Sequence, residues 1–461
     1  PNIVFIMADD LGYGELGSYG QEKIQTPHLD QMAEDGMRFT DFYTGAPVCA
    51  PARAVLMTGK HSGNAYIRGN KEVGGWGPEE PECQWPIQRS EITIAEVLKR
   101  KGYATGGMGK WGLGGPGSIG HPSYQGFDHF YGYLCQRVAH NYYPTHLWRN
   151  HDVDVLNNTY FNAHQRIPNA EAGFDQFFGN DYAPDHILEE ALTFINDNKE
   201  QPFFLYLPFV EPHLAMQPPQ EHVDKYPMEW DKEPYLGGRS YTPHPRPRAG
   251  YAAMITDLDE SVGAVIDLID ELGLGENTVI FFTSDNGATH DVGGVDTNFF
   301  NSTNGLRGRK GSVWEGGIRV PMIARWTGKI KPGSQTNHIS ALEDVFPTLA
   351  ELGGAETPDV VDGVSMLPTL LQSRGQQKRP YYVWEFHGYG GQKAMRMGKW
   401  KAVLRDIHQG NMEVQLFDLS VDINETKNIA DQYPEIVKKA MDVFKNDRTV
   451  SELFPMKSFD G

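Results

Sequence analysis

Buried strands that alternate with helical segments set the strongest limit on the fold of this chain. Residues 2–7 form a continuous apolar run of strand length. Residues 251–272 carry apolar side chains at the 3.6-residue spacing of a helix, and Gly273 follows them. The same signals predict strands at 39–43, 103–108, 203–209 and 279–283, and helices at 26–36, 93–101 and 185–198. This alternation predicts an α/β fold with a large, mostly parallel sheet flanked by helices.

The character of the sequence changes near residue 371. A polar stretch at 372–379 is followed by short alternating segments at 381–385, 394–397, 400–404 and 414–418, and by a helical pattern at 435–446. We therefore expect a catalytic domain over 1–371. A small C-terminal subdomain over 380–461, with an antiparallel sheet and one helix, should contribute to the substrate cleft. Residues 113–184 and 208–247 have few regular signals and should form loops at the carboxyl edge of the main sheet.

Charge and hydropathy exclude several classes of function. The 461 residues include 41 Lys and Arg against 60 Asp and Glu, a net charge of −19, whereas proteins that bind nucleic acid are normally basic. No apolar run is long enough for a membrane span. The chain opens directly on a strand without a Met, so we expect a signal segment to have been removed upstream and the protein to be periplasmic or secreted. Of the three cysteines, Cys83 and Cys135 could pair, and the sequence leaves this open.

Acidic and amide side chains follow two of the predicted buried strands. Asp9 and Asp10 end the first strand, and Asp285 and Asn286 end the strand at 279–283. Neighbouring carboxylates repel each other unless a cation neutralises them. Oxygen ligands of this kind suit Ca²⁺ or Mg²⁺. Either pair alone is also typical of an ordinary turn or helix cap.

Cys49 stands where a helix should begin, because Pro51 fits the first turn of a helix. The positive end of the helix dipole favours an anion at that place, and Arg53 lies one turn further on. A small buried cysteine is an equally common reason for such a residue.

Three further residues could serve an anionic substrate. Lys110 and Lys310 each lie in a glycine-flanked loop, and glycine lets a backbone approach a ligand closely. His213 follows the strand at 203–209. Taken singly, such lysines are usually solvated and such a histidine is usually structural.

The order of these elements is more specific than any one of them. The chain carries Asp-Asp at 9–10, Cys-x-Pro-x-Arg at 49–53, Gly-Lys-Trp at 109–111, Pro-His at 212–213, Asp-Asn-Gly at 285–287 and Gly-x-Lys at 308–310. This order resembles that of the formylglycine-dependent (type I) sulfatases, arylsulfatase-like members of the alkaline phosphatase superfamily. The resemblance runs from residue 1 to about residue 321 and implies a sulfuric ester hydrolase.

The resemblance implies a modified residue and a metal. A maturation enzyme would convert Cys49 to formylglycine, which hydrates to a diol; one hydroxyl attacks sulfur and the other then releases sulfate. A serine would stay trapped as its sulfate ester. The resemblance also implies that Ca²⁺ orients the diol and polarises a sulfate oxygen. Its ligands would be Asp9, Asp10, Asp285 and Asn286.

The remaining catalytic roles follow from the same resemblance. Arg53 would support the diol, and Lys110 and Lys310 would neutralise the charge of the sulfate. His213 would protonate the leaving oxygen, since an ordinary histidine pKa of ~6.5 suits a general acid.

The sequence departs from the family pattern at two positions. Ala52 replaces the usual Ser of the cysteine motif, which leaves the route of maturation open. Gly112 stands where the family often has a His that contacts the diol and helps to release sulfate. We expect His140 to substitute for it, with His121 and His290 as rivals.

The loops at 136–148 and 386–396 are rich in aromatic and basic residues, which suit sugar rings and their anionic groups. Residues 133–149 resemble bacterial sulfatases that act on sulfated glycans, several with galactose or N-acetylgalactosamine rings. The candidate substrate contacts are Arg137, His290, His387 and Lys393.

A Ca²⁺-dependent sulfatase of a sulfated polysaccharide or oligosaccharide is therefore the leading hypothesis. A phosphonate or phosphodiester hydrolase of the same superfamily is the second, since it can use the same cysteine motif. A sulfated-glycan-binding protein with degraded catalysis is the third, and Gly112 is its support.

Overall fold

The computed structural model describes residues 1–75, 77, 80–167 and 173–460. Its strands are β1 (Asn2–Ala8), β2 (Met37–Phe39), β3 (Phe42–Tyr43), β4 (Ala104–Lys110), β5 (His129–Tyr133), β6 (His146–Arg149), β7 (Asp152–Val155), β8 (Phe203–Pro208), β9 (Thr278–Ser284), β10 (Met322–Arg325), β11 (Ser334–Thr336), β12 (Ser340–Ala341), β13 (Tyr382–Phe386), β14 (Gln392–Met397), β15 (Trp400–Arg405) and β16 (Gln415–Asp418). Its α-helices are α1 (Pro27–Asp35), α2 (Cys49–Thr58), α3 (Ile94–Lys99), α4 (Ala183–Asp197), α5 (Gln220–Val223), α6 (Pro247–Glu271), α7 (Thr297–Phe300), α8 (Glu315–Ile318), α9 (Val345–Leu352), α10 (Leu367–Leu370), α11 (Pro434–Asn446) and α12 (Lys457–Asp460).

A large mixed sheet forms the centre of the molecule. Over the described residues its order is β11-β2-β10-β9-β1-β8-β4-β5-β6-β7. Strand β1 is parallel to both of its neighbours, β8 and β9, and β4 is parallel to β8 and β5. Strands β10, β6 and β7 run antiparallel to their neighbours and lie towards the edges. The predicted mostly parallel sheet is confirmed.

Helices cover both faces of this sheet, because successive side chains of a buried strand point to opposite sides. Val4 and Ile6 of β1 pack into one core with α1, α4 and α6. Ile3, Phe5 and Met7 pack into a second core with α2, α3 and α9. An apolar run without alternation is what such a two-sided strand requires.

Two parts of the sequence-based organisation are wrong. The predicted strand at 39–43 is two short strands, of which β2 belongs to the large sheet and β3 pairs with β12. The segment 113–184 contains β5, β6 and β7, which extend the sheet, although we expected loops. Strand β7 is largely exposed, so it lacks the apolar pattern that would have predicted it.

The C-terminal sheet is an antiparallel meander in the order β13-β14-β15-β16, with α11 packed against it. The small sheet with one main helix is therefore confirmed, whereas the boundaries at 371 and 380 stay a prediction. Trp384 of β13 connects this sheet to the segment after β3, because its Nε1 donates to Thr44 O at 2.7 Å. Cys83 and Cys135 are free thiols.

Glu15 is a buried acid that makes the stability of the fold depend on pH. Its Oε2 accepts from Gly12 N at 2.6 Å and its Oε1 accepts from Tyr251 Oη at 2.8 Å. Burial raises its pKa from 4.5 to about 7. A group with a raised folded-state pKa contributes stability that is complete below the unfolded value and is lost as the pH rises through the folded value.

Glu15→Gln should therefore remove part of this pH dependence, because the amide reproduces the protonated acid. We expect the variant to gain about 3 kcal/mol of unfolding free energy over the wild type between pH 4.5 and pH 8. Urea unfolding at both pH values measures this gain. An equal difference between the two proteins at both pH values would contradict the assignment.

Candidate active site

Strands β1 and β9 end side by side, with Ala8 opposite Ser284. The next residues of both strands therefore meet at the carboxyl edge of the sheet, as the sequence predicts. Asp10 N donates to Asp285 Oδ1 at 3.2 Å, and Asn286 Nδ2 donates to Asp10 Oδ1 at 2.8 Å. Asp9 lies in the same cluster, and all four side chains are buried.

Cys49 is the first residue of α2 and faces this cluster. Its Sγ lies 3.3 Å from Asp9 Oδ1 and 3.4 Å from Lys310 Nζ. Asn70 Oδ1 accepts from Ala50 N at 3.0 Å and so satisfies one free amide of the helix start. Burial, reinforced by Asp9, raises the pKa of the Cys49 thiol well above its ordinary value. The unmodified side chain is therefore a protonated thiol.

Three cations surround Cys49: Arg53 and Lys110 are buried, and Lys310 is partly buried. Lys110, the last residue of β4, donates to Asp9 Oδ2. Arg53 Nη2 lies 2.9 Å from Asp285 Oδ2, and Lys310 Nζ lies 2.7 Å from Asp10 Oδ1. Burial acts to lower the pKa of both lysines, but the carboxylates outweigh it and raise that pKa above the ordinary value. The three cations thus balance the carboxylates of Asp9, Asp10 and Asp285 and place positive charge beside Cys49.

The carboxylates fit an additional cation. Burial acts to raise the pKa of Asp9, but the surrounding cations, led by Lys110, hold it well below the usual range. Burial and the charge of Asp9 raise the pKa of Asp285 to about 7. Asn286 Oδ1 is buried and has no hydrogen-bond partner among the described residues. Unpaired oxygens and crowded carboxylates are the donor set that Ca²⁺ prefers.

Two stacked histidines line the other side of the site. His213 Nε2 lies 3.7 Å from Asp10 Oδ2, and the ring of His140 stacks on His213 with centroids 4.3 Å apart. His140 Nδ1 lies 3.0 Å from His164 Nδ1. The structure thus brings the predicted His140 next to His213, although its catalytic role stays a prediction.

The surroundings of His213 move its pKa away from the ordinary histidine value. Burial, helped by Lys310, lowers this pKa to about 4, so the free site holds a neutral imidazole. Its Nδ1 lies 2.6 Å from Leu214 O. A carbonyl accepts only from a protonated nitrogen, so Nδ1 carries the hydrogen and the bare Nε2 faces Asp10.

The predicted substrate contacts separate into two groups. Arg137 Nη1 lies 2.9 Å from His164 Nδ1, next to His140, and Arg137 also lines a cavity with Tyr160. His290 lines a cleft that includes Lys310. Both residues therefore lie beside the site.

His387 follows β13 and Lys393 lies in β14 of the C-terminal sheet. His387 packs against His408, with ring centroids 4.6 Å apart, and against Phe454. The structure contradicts the prediction for Lys393, which is 1 % exposed and donates to Glu385 Oε2 and, at 3.0 Å, to Phe444 O. Its ammonium group is already paired and cannot reach a ligand.

Glu385 is the centre of this buried ion cluster. Besides Lys393, it contacts Arg68 at 2.8 Å and Arg448 at 2.7 Å. Glu385→Leu would leave Arg68 and Lys393 without their carboxylate and Arg448 with Asp460 alone, so we expect it to lower the unfolding free energy by about 3–5 kcal/mol. Lys399→Met, which removes an exposed partner of Asp418, is the control and should cost at most about 1 kcal/mol. Denaturant unfolding checks both, and equal costs would contradict the cluster.

His121, one of the rival histidines, has a structural role. Its Nε2 lies 2.9 Å from Asn150 O and its ring stacks on His151 with centroids 4.0 Å apart. Both contacts hold the loop that precedes β5. His121 is therefore not placed to replace the missing histidine.

Tyr241 and His164 also belong to the site, although no pattern in the sequence indicates them. The Tyr241 ring stacks on His164 at 4.4 Å and meets His140 edge-on at 5.9 Å. Its backbone is left-handed, with φ of 65°, and Ser240 before it has φ of 105°. Non-glycine residues in this region are strained, and such strain is concentrated at functional sites. Nothing in the irregular segment 208–247 predicts this conformation.

The sequence matches the sulfatase family model over residues 1–355, and a second model, the C-terminal part of N-sulphoglucosamine sulphohydrolase, over residues 309–448. The chain belongs to the sulfatase family. It is thus a sulfuric ester hydrolase, and the predicted family and enzyme class are confirmed. None of the described helices of this sulfatase has the length and apolar character needed to cross a membrane.

Related proteins cover nearly the whole sulfatase. Arylsulfatase A of Bos taurus is 32% identical and covers 96% of this chain and 86% of its own length. An N-acetylgalactosamine-6-O-sulfatase of Bacteroides thetaiotaomicron is 31% identical, over 97% of this chain and 93% of its own length. The solved structure of Ps i-CgsB in complex with k-i-k-neocarrahexaose is 27% identical, with a TM-score of 0.76 over 97% of this chain and 93% of that chain.

Proposed function

We propose that this sulfatase hydrolyses sulfate esters of a sulfated polysaccharide or oligosaccharide with galactose or N-acetylgalactosamine rings. The reaction uses a formylglycine made from Cys49 and a bound Ca²⁺. The observation that carries the proposal is the position of Cys49 at the start of α2, 3.3 Å from Asp9 and 3.4 Å from Lys310. A helix start ringed by buried cations is a place for an anion.

The metal has a defined set of donors. Ca²⁺, when bound, polarises a sulfate oxygen and so favours attack at sulfur. Arg53 holds the Asp285 carboxylate in place through Nε at 3.2 Å and Nη2 at 2.9 Å. Asn286 is fixed by its bond to Asp10, which leaves its Oδ1 free to bind. The ligands are those named from the sequence: Asp9, Asp10, Asp285 and Asn286.

The other residues bind the sulfate and handle the proton. Lys110 and Lys310 stay protonated and neutralise the charge of the sulfate, and burial removes competing water. His213 presents its bare Nε2 to the site. The negative charge of a bound sulfate ester favours the imidazolium, which is the state that can donate a proton to the leaving oxygen. Tyr241 and His140 exclude solvent from that face.

Several observations support a glycan as the substrate. The relative from Bacteroides thetaiotaomicron is an N-acetylgalactosamine-6-O-sulfatase, and the similar Ps i-CgsB structure is a complex with k-i-k-neocarrahexaose. Arg137 and His290 lie at two different openings beside the site, where a sugar chain would extend. Since sulfated polysaccharides are extracellular, we also propose a periplasmic or secreted location and a maturation enzyme as partner.

A substrate panel tests the proposal. It compares 4-O- and 6-O-sulfated galactose and N-acetylgalactosamine oligosaccharides with sulfated glucosamine controls, a small aryl sulfate and a phosphonate monoester. We expect sulfate release to be fastest from one galactose-type isomer. Arg137→Ala should lower kcat/KM about 10-fold for that glycan and much less for the aryl sulfate. Faster cleavage of the phosphonate than of every sulfate ester would contradict the proposal.

A further inference from the structure

Gln136 is a buried amide that the free protein leaves unpaired. Its side chain is 1 % exposed, and neither Nε2 nor Oε1 has a hydrogen-bond partner among the described residues. The buried Gln217 differs, because its Oε1 accepts from Tyr142 N and its Nε2 donates to Phe177 O. Buried polar groups are nearly always paired, so an amide with two free ends requires an explanation.

Gly112 provides the space that Gln136 occupies. A Cβ atom at Gly112 would lie 2.9 Å from Gln136 Cγ and 3.3 Å from its Oε1, and the φ of Gly112 is 74°. Any other residue at 112 would therefore be strained and would displace Gln136. Gly112 follows Lys110 by two residues, and Lys110 holds Asp9 beside Cys49. The Gln136 side chain thus packs against the backbone two residues after Lys110.

The turn that carries Gln136 also carries His140. Ala139 N donates to Cys135 O at 3.2 Å and His140 N donates to Arg137 O at 3.4 Å, so the chain turns here and leads into the 3-10 helix at Val138–His140. His140, at the end of this turn, stacks on His213. Gln136 therefore lies on the turn that carries His140 and, through its contact with Gly112, beside the segment that carries Lys110.

We propose that Gln136 binds the sulfate group of the substrate through Nε2, an assignment that rests on the proposed function. The cations around Cys49 are already paired with carboxylates, so an unpaired neutral donor adds a hydrogen bond that nothing in the site has satisfied. An amide does not titrate, so this contact keeps its strength across the working pH range. Gln136 also fills the place that a side chain at Gly112 would take, while His140 stays engaged with His213 and His164.

Inorganic sulfate is the probe for this assignment. Calorimetric titration of the full, Ca²⁺-loaded chain should show about 10- to 100-fold weaker sulfate binding by Gln136→Met than by the wild type. Gln136→Glu, which is isosteric and negative, should show no measurable binding. Methionine removes an amide that has no partner in the free protein, so the melting temperature of Gln136→Met should equal or exceed that of the wild type.

Gln125 provides the matched control. It is a buried glutamine whose Nε2 donates to Ile119 O, and it precedes Gly126, whose carbonyl oxygen binds Thr105 near the opposite, amino end of β4. Gln125→Met should keep the sulfate affinity of the wild type.

The possible results distinguish a failure of the Gln136 assignment from a failure of the proposed function. Unchanged sulfate affinity in Gln136→Met, with or without a lower melting temperature, would overturn the assignment of Gln136 alone. A wild-type protein that binds Ca²⁺ but no sulfate would overturn both the assignment and the proposed function.

Discussion

Replacing Cys49 by alanine should lower the rate of sulfate release by at least about 10⁴-fold. The proposed function places the nucleophile on this residue, and no second nucleophile can take its position between Asp9 and Lys310. Charge stabilisation by the lysines would survive and account for the residual rate. The loss should appear equally with a glycan and with a small aryl sulfate, because it concerns the reacting atom and not sugar recognition.

Cys83→Ala is the matched control for this variant. Cys83 is another free cysteine, at intermediate exposure, and it lies outside the cluster around Asp9. Its replacement should leave kcat within about twofold of the wild type, as is usual away from a site. A Cys49→Ala protein that keeps more than a few per cent of the wild-type rate would show that the nucleophile is elsewhere.

Removal of Ca²⁺ should abolish measurable turnover, and added Ca²⁺ should restore it. The loss should be about 10³-fold or more, because the site would lose the charge that polarises the sulfate. The melting temperature should fall as well, since a ligand that binds only the folded state stabilises it. Without the metal, Asp285 remains a buried acid whose pKa is raised to about 7 by burial and by Asp9.

Two Asp→Asn variants make this test specific to the site. Asp10→Asn should weaken Ca²⁺ binding by at least about tenfold, measured by calorimetry on the apo protein. Asp422→Asn changes an exposed carboxylate that caps Thr426 N at 3.0 Å, and it should leave Ca²⁺ binding unchanged. Full activity in excess chelator, with Asp10→Asn indistinguishable from Asp422→Asn, would contradict the metal site.

The residues of the site were predictable where their positions depend on the ends of neighbouring strands and on the order of the motifs along the chain. Asp9 and Asp285 each follow an apolar run, and parallel neighbouring strands bring such ends together. Cys49 and Arg53 are one helical turn apart, so their common orientation follows from the helix alone. The large sheet is predictable for the same reason, because its central strands are buried on both faces.

Features that depend on distant packing were not predictable. Lys393 has the sequence context of a surface loop lysine, and only its contact with Glu385 on the neighbouring strand reveals it as part of a buried cluster. The contact between Gly112 and Gln136 spans β5, a strand that the sequence pattern does not show. Tyr241 depends on a left-handed backbone that no local residue type requires.

One preparation tests the central claim most directly. The chain is co-expressed with a maturation enzyme, the mass of the peptide that contains Cys49 is measured, and free sulfate release from the sulfated galactose panel is followed with and without a Ca²⁺ chelator. We expect the mass of formylglycine at position 49 together with chelator-sensitive release of sulfate. Sulfate release at full rate from protein whose Cys49 is still a thiol would contradict it. So would the absence of release from every member of the panel when Cys49 is fully converted.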